Sequence, residues 1–349
     1  MVFEGKYLDE ILRALYEALT ISTDKFSAGK GTGKDLLAPK VILKDARARI
    51  SATATRGRLI SALGEFCWYM SGSADLDFIR HYIPKYPPLD DDGKPLDVDG
   101  GLRDAYGPRL IGSGQFGCNT NQLERIIERL SKRNDTRRAV ISLLESSDLE
   151  TGRDEAPCTI ALQFIRRRNR LHLIAIMRSN DAYLGFPHDV FSFTMIQEIV
   201  ARALGISMGE YHHFATSLHL YDRDIEKVSA YLGEGFQNPT FAMPKMPTGD
   251  QRENLAKFLE VEAKIRSGVI LNADQIRLPQ YWKDLALVLL RKSDIKFSRG
   301  TKAKNENFSN IKNDFYRTFF LKKPKINLIS PQITPAIQES LGLDDDEAP

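Results

Sequence analysis

The sequence predicts an α/β fold, a mixed sheet flanked by helices, and three adjacent stretches predict it. "CTIALQFIRRRNRLHLIAIMRS" sets two apolar runs on either side of the turn "RRRNR", the pattern of a β-hairpin. "DVFSFTMIQEIVARALG" follows with apolar residues at helical spacing and ends at Gly205, which suits a left-handed helix cap. "EYHHFATSLHLY" then returns to a strand.

The remaining elements read in order from the N-terminus. Tyr7, Ile11, Leu12, Leu15 and Leu19 recur at helical spacing and give an amphipathic helix over 4–19. Residues 41–54 read as extended chain in two pieces. A helix over 57–71 turns Leu59, Leu63, Phe66 and Met70 inward. Residues 84–104 carry four prolines and many turn-formers, a long surface loop. A helix is expected over 121–133, a strand over 137–144, and a helix from Asp222, its N-cap, to about 235. Beyond about 236 the text changes: a Pro-rich stretch, helices at 251–266 and 279–291, a basic run and the acidic end "LDDDEAP". The expected organisation is a catalytic domain over 1–235 and a divergent helical extension over 236–349.

The bulk properties bound the function. With 349 residues, 42% of them hydrophobic, the chain can bury a large core. A net charge of +3 is too small to imply a nucleic-acid surface, and "RKSDIKFSRGTKAKNE" reads as a solvated loop. No apolar run approaches a membrane span, and the N-terminus is not a signal peptide. Three cysteines (Cys67, Cys118, Cys158) cannot all pair, which points to a reducing cytoplasm and leaves a thiol for chemistry. No Cys/His cluster has metal-ligand spacing, and His212-His213 reads as structural. "GKGTGKD" at 29–35 fails as a triphosphate loop, because Ala28 stands where the first glycine belongs and Asp35 where a hydroxyl should bind magnesium. Its lysines and glycines still suit a smaller phosphate.

Cys67 sits within a helix and, with Cys118, reads as packing. Cys158 follows a proline at the entry of a strand, with Arg137-Arg138 upstream and Arg178-Ser179 downstream. Arginines at such a site can bind a phosphate bidentately and lower a thiol's pKa.

The ordered elements Pro157-Cys158, Gln163-Phe164, "RSNDAYLGFP" and His219-Leu220-Tyr221 resemble the thymidylate synthase superfamily, which includes the pyrimidine hydroxymethylases. Weaker matches at "TRR" (136–138), "AYG" (105–107), "EFCWYMSG" (65–72) and "GTG" (31–33) extend the resemblance over about 4–235. It implies a thymidylate synthase-like fold, with 5,10-methylenetetrahydrofolate and a pyrimidine nucleotide monophosphate as ligands. Cys158 would add to C6 of the base, and Glu65 would organise the water that moves protons there. Arg178 and Ser179 would hold the 5′-phosphate, joined by Arg137 and Arg138 of a second subunit, so a homodimer with shared sites is expected. His219 and Tyr221 would bind the sugar, and Asp181 the pterin. Gly185 would let cofactor and base approach the backbone, Gln163 would support the nucleophile's surroundings, and Tyr106 belongs to the folate side. "GTG" looks like the nucleotide loop, with Lys30 or Lys34 in place of the family's arginine.

Departures from the synthases carry the finer reading. Asp189 stands where synthases have asparagine, and a carboxyl can accept from cytosine N4 and share a proton with N3. No tryptophan lies between Asp75 and Tyr106 to shield an intermediate from water. Thr159 replaces a histidine, and the apolar closing tail is missing. The expected reaction is 5-hydroxymethylation of a cytosine nucleotide, dCMP over CMP. The alternatives are a thymidylate synthase, converting dUMP to dTMP, and an inactive nucleotide-binding homologue.

Overall fold

The computed structural model describes residues 1–28, 31–86, 101–114, 119–150, 156–235, 242–296 and 307–320. The hairpin forms as the sequence predicts, with β6 (Thr159–Arg167) antiparallel to β7 (Arg170–Met177). Arg167 pairs with Arg170, so the turn is the two residues Arg168 and Asn169, both at positive φ (47° and 57°). That twist matches the right-handed strands on either side. Asn tolerates this backbone and arginine does not, so Arg168 carries local strain.

Around this hairpin stands a six-stranded sheet in the order β1-β4-β9-β7-β6-β5. Its other members are β1 (Val2–Gly5), β4 (Lys40–Leu43), β5 (Val140–Ser142) and β9 (Ser207–Ala215). The pairs β1/β4 and β7/β9 are parallel and the rest antiparallel, so the sheet is mixed as predicted. A second sheet has the order β2-β3-β10-β8, from β2 (Lys25–Ala28), β3 (Gly31–Leu37), β8 (Asn180–Asp181) and β10 (Ser217–Tyr221).

Several boundaries differ from the sequence reading. The expected 4–19 helix starts later: residues 4 and 5 belong to β1, whose Phe3 pairs with Val41, and helix α1 runs Leu8–Ile21. The second piece of the expected extended stretch 41–54 is irregular turns beyond Leu43. The expected strand 137–144 shrinks to the three residues of the edge strand β5. "EYHHFATSLHLY" is two strands in different sheets, since the chain leaves the large sheet at Thr216, whose N–H donates to Met177 O. Asp222 is not a helix N-cap: helix α7 runs Ile225–Gly233, and the Asp222 carboxylate accepts instead from Thr32 Oγ1 at 2.5 Å.

Helix α6 (Gly185–Ala203) starts earlier than the spacing predicts and packs on β7 and β9. Gly205 takes the left-handed conformation (φ 65°) expected of it. Helix α2 (Leu59–Met70) lies across α6, followed by α3 (Leu76–Tyr82), α4 (Tyr106–Ile111) and α5 (Gln122–Lys132). The expected C-terminal helices are α8 (Arg252–Arg266) and α9 (Gln280–Lys296). They pack onto the α2–α3 side: Tyr82 OH donates to Glu262 at 2.6 Å, Lys292 Nζ donates to Tyr82 O, and Phe258 and Trp282 join the common core. A buried ion pair, Arg49–Glu198, braces the next stretch, because Glu198 also accepts from Met246 N at 2.9 Å. The basic run after 296, the acidic terminus, Cys118 and most of the 84–104 loop fall outside the described residues. Among the described residues no helix is long and apolar enough to cross a membrane.

Candidate active site

Three chain segments switch between the two sheets at one corner: β7 to β8 through Arg178-Ser179, β9 to β10 through Thr216, and β3 to β4 through Ala38 (φ 53°). Cys158 lies at this corner, one residue before β6, and its carbonyl accepts from Arg178 N at 2.9 Å. The Arg178 side chain also serves the cysteine loop, donating from Nε to Pro157 O (3.1 Å) and from Nη2 to Ala156 O (2.7 Å). An exposed guanidinium held on the cysteine loop can hold an anionic group at this corner.

Opposite Cys158 is a layer of phenols and acids. The Tyr106 oxygen accepts from Thr159 N (3.1 Å) and Thr159 Oγ1 (3.0 Å), so Thr159 ties the entry of β6 to α4. The Tyr106 ring lies 5.1 Å from that of Tyr69, whose hydroxyl donates to Glu65 Oε1 at 3.0 Å. Glu65 Oε2 is buried and accepts no hydrogen bond among the described residues. Burial pushes the Glu65 carboxyl up to about 7, against a smaller opposing effect of the Tyr69 hydrogen bond. Asp189 lies beside it; burial first, and the Glu65 charge next, push its carboxyl well above the carboxylate range. Two neighbouring acids whose burial favours the protonated form can hold or pass a proton.

The Glu65 shift predicts a pH-dependent stability. Its folded value lies above its ordinary one, so the folded state binds the extra proton, and the stabilisation is complete below about pH 4.5 and lost by about pH 7. The difference corresponds to about 3 kcal/mol. Glu65→Gln should therefore gain on the wild type between pH 5 and 8 in denaturant unfolding, and an equal gain at every pH would refute the assignment.

Asp181 caps the turn into α6, its Oδ1 accepting from Tyr183 N (2.8 Å) and Leu184 N (2.9 Å). It pairs in register with His219, and the Phe26 ring meets the rings of His219 (5.0 Å) and Tyr221 (5.4 Å) edge-on. His219 and Tyr221 thus line one face of β10, and burial first, then the neighbouring Asp181, push the Tyr221 hydroxyl up. At Gly185 the direction a Cβ would take is filled by Asn180 Nδ2 at 3.1 Å. The glycine makes room for the Asn180 amide.

Other expected residues stand apart. Arg137 and Arg138 are exposed and lie beside the far end of β6, about 20 Å from Cys158 along the strand. Gln163 does not support the nucleophile within this chain, because its amide donates to Arg137 O at 2.9 Å. Lys30 is outside the described residues. Lys34 is no substitute for the missing arginine, since its ammonium donates to Thr20 O. Gly31–Gly33 are strand β3, and Gly33 is required where a Cβ would meet Leu220 O at 2.2 Å. No helix follows the glycines, so the triphosphate reading fails on structure as well as sequence.

The structure adds residues that sequence reasoning passed over. Asn180 donates to Asp189 Oδ2 at 2.7 Å. Tyr86 packs against Trp68, with centroids 5.6 Å apart, and burial pushes its hydroxyl well above the ordinary range. Arg223 lies over the Tyr221 ring at 4.0 Å and near Gly31. His188 bridges Leu184 O and Ser61 Oγ, and burial brings its pKa down to about 3. Asn180 was legible as the variable place in Arg-Ser-x-Asp, whereas Tyr86 sat in apparent loop text.

His172, Glu210 and His212 come within 4.8 Å of one another on the large sheet's outer face, a grouping that sequence spacing did not reveal. His172 Nδ1 accepts from Glu210 N at 3.2 Å, and burial lowers the pKa of both histidines. A neutral ring that accepts at Nδ1 carries its proton on Nε2, which leaves no lone pair there for a metal.

The thymidylate synthase family profile matches residues 34–266 of this chain. The chain belongs to the thymidylate synthase family. Its curated relatives include a "Putative thymidylate synthase" of Methanocaldococcus jannaschii, 38% identical over 134 residues, 37% of this chain and 60% of the relative. A "Deoxyuridylate hydroxymethyltransferase" of Delftia phage PhiW-14 is 28% identical over 207 residues, 55% of this chain and 54% of the relative. One of the same description from Bacillus phage SP01 is 28% identical over 190 residues, half of each chain. The chain thus spans between half and three-fifths of the length of these relatives. The profile match ends at the last residue of α8, so it takes in the first C-terminal helix as well as the strands around Cys158.

Proposed function

We propose that this protein hydroxymethylates C5 of a cytosine nucleotide monophosphate, dCMP in preference to CMP. Asp189 carries the reading: a buried carboxyl, held near a second acid, whose burial favours the protonated form, which can donate to N3 while accepting from N4. Cys158 is the nucleophile toward C6, and Arg178 with Ser179 anchors the 5′-phosphate beside it. His219 and Tyr221 take the sugar, and Ser179 favours the deoxy form.

The residues at the corner fit a folate. Asp181 uses Oδ1 on two backbone N–H groups, which leaves Oδ2 for a pterin donor. Tyr106 and Tyr69 offer aromatic faces, and the ring of Tyr106 stacks on Phe193 at 6.3 Å. When bound, 5,10-methylenetetrahydrofolate supplies the carbon transferred to C5. Glu65 holds a water through its open Oε2 and moves the C5 proton; without a tryptophan between Asp75 and Tyr106, water reaches the transferred carbon. The relatives named for deoxyuridylate favour a second reading, dUMP as substrate of the same reaction. Purified protein with dCMP, CMP or dUMP and methylenetetrahydrofolate, followed by product mass, tests both. Hydroxymethyl-dCMP is the expected product, and thymidylate with dihydrofolate would overturn hydroxymethylation.

The active form is a homodimer with shared sites. Arg137 and Arg138 are too far from Cys158 to serve their own chain's site. The large sheet presents Ile42, Ile165, Ile174 and Ile176 half-buried, and Val140 and Phe214 exposed, an apolar face suited to a second copy. Mixing inactive Arg138→Ala with inactive Cys158→Ser subunits should recover up to about a quarter of wild-type activity, since one of the two sites in each heterodimer is then complete. No recovery after demonstrated subunit exchange would refute sharing.

A further inference from the structure

A neutral carboxylic acid is ambidextrous. With its proton on one oxygen it presents donor then acceptor; with the proton on the other, the order reverses. Cytosine offers an N4 donor beside an N3 acceptor, and uracil offers an O4 acceptor beside an N3 donor. A protonated Asp189 by itself therefore reads either base, and base choice needs something that tells its two oxygens apart.

Asn180 does tell them apart. It sits on β8, paired in register with Leu218 of β10, and is 4% exposed. Its Nδ2 donates to Asp189 Oδ2 at 2.7 Å, a side-chain link between β8 and the first turn of α6. The absence of a Cβ at Gly185 keeps the amide there, since a methyl would come 3.1 Å from Nδ2 and 3.7 Å from Oδ2. Asn180 Oδ1 is buried and accepts no hydrogen bond among the described residues. A buried acceptor without a donor is costly unless a ligand satisfies it.

We propose that Asn180 is a positioning residue for base choice: by donating to Oδ2 it holds that oxygen as an acceptor, so the proton of Asp189 sits on Oδ1 and the pair meets the base in one fixed order. Resting on the cytosine reading, Oδ2 accepts one N4 hydrogen and Oδ1 donates to N3. The orphaned oxygen of Asn180, one amide width away, accepts the other N4 hydrogen. Uracil would bring O4 against two oxygens.

The test compares kcat/KM for dCMP and dUMP, each across pH, in wild type, Asn180→Ala and Gly185→Ala. The second variant displaces the amide by one methyl against a side chain, a small change that keeps the test open if the alanine at 180 fails to fold. Both should lower the ratio of the two kcat/KM values at least about tenfold, the effect of one lost hydrogen-bond discrimination. The amide's donated bond favours the charged carboxylate, so its loss should also move the falling alkaline limb for dCMP to higher pH. A merely structural role would lower both substrates together and leave ratio and limb in place, and that result in any folded variant overturns the proposal. The wild-type preference judges the cytosine reading separately: a protein that prefers dUMP refutes that reading, while the change of ratio on substitution, in either direction, still judges Asn180.

Discussion

Cys158→Ser should lose turnover by more than about a thousandfold while still binding nucleotide. Addition to C6 needs a soft, ionisable nucleophile, and a serine hydroxyl stays protonated at neutral pH. The surroundings explain why binding survives. Arg178, proposed to anchor the phosphate, is held by the carbonyls of Ala156 and Pro157 and by its own N–H on the Cys158 carbonyl, none of which involves the sulfur. Cys67 provides the contrast: it is fully buried in α2, and burial pushes its thiol well above the ordinary range. Cys67→Ser, like Cys118→Ser, should keep its turnover. Equilibrium binding of dCMP by calorimetry, beside single-turnover product formation, separates the two effects. Substantial turnover in Cys158→Ser would end the covalent mechanism, and lost binding would mean that the thiol organises the loop.

How much of this was legible depended on the range of the interactions. The β6–β7 hairpin, the body of α6 and the Gly205 cap follow from local periodicity and turn chemistry, although α6 starts four residues before the predicted Asp189. The break at Thr216 did not show, because β9 and β10 are continuous apolar text. Only pairing with Met177 on one side and with β3 on the other reveals two strands. Asp222 looked like a helix cap because Asp is a good one, but a distant partner, Thr32, takes its carboxylate. At the site, single residues with a defined motif position were readable, whereas pairs were not. Nothing in the text joins Asn180 to Asp189, nine positions apart across a strand and a helix start, or sets Tyr86 beside Trp68. Gln163 shows the reverse error, a motif residue whose side chain turns to the sheet's outer face and holds the arginine segment.

Asp189→Asn should move base preference toward dUMP by roughly one to two decades in relative kcat/KM. In the wild type Asn180 Nδ2 donates to Asp189 Oδ2, so that oxygen accepts and the pair keeps one order. An amide at 189 removes that constraint. The two side chains can then turn together, Asn180 accepting where it used to donate, and the new amide meets O4 and N3–H as readily as N4 and N3. The penalty that dUMP meets in the wild type, opposed acceptors at ~1–3 kcal/mol per unsatisfied group, is relieved in the variant; each ~1.4 kcal/mol is tenfold in rate. Product type should not change: hydroxymethyl release depends on water reaching the transferred carbon from the Glu65 side, and that route does not pass through residue 189. Exchange of the C5 proton, with and without folate, on dCMP and dUMP reads base recognition before any carbon is transferred. A wild type that already exchanges dUMP faster, or a variant whose ratio stays put, would remove Asp189 as the reader of the base. The relatives named for deoxyuridylate would then give the better substrate.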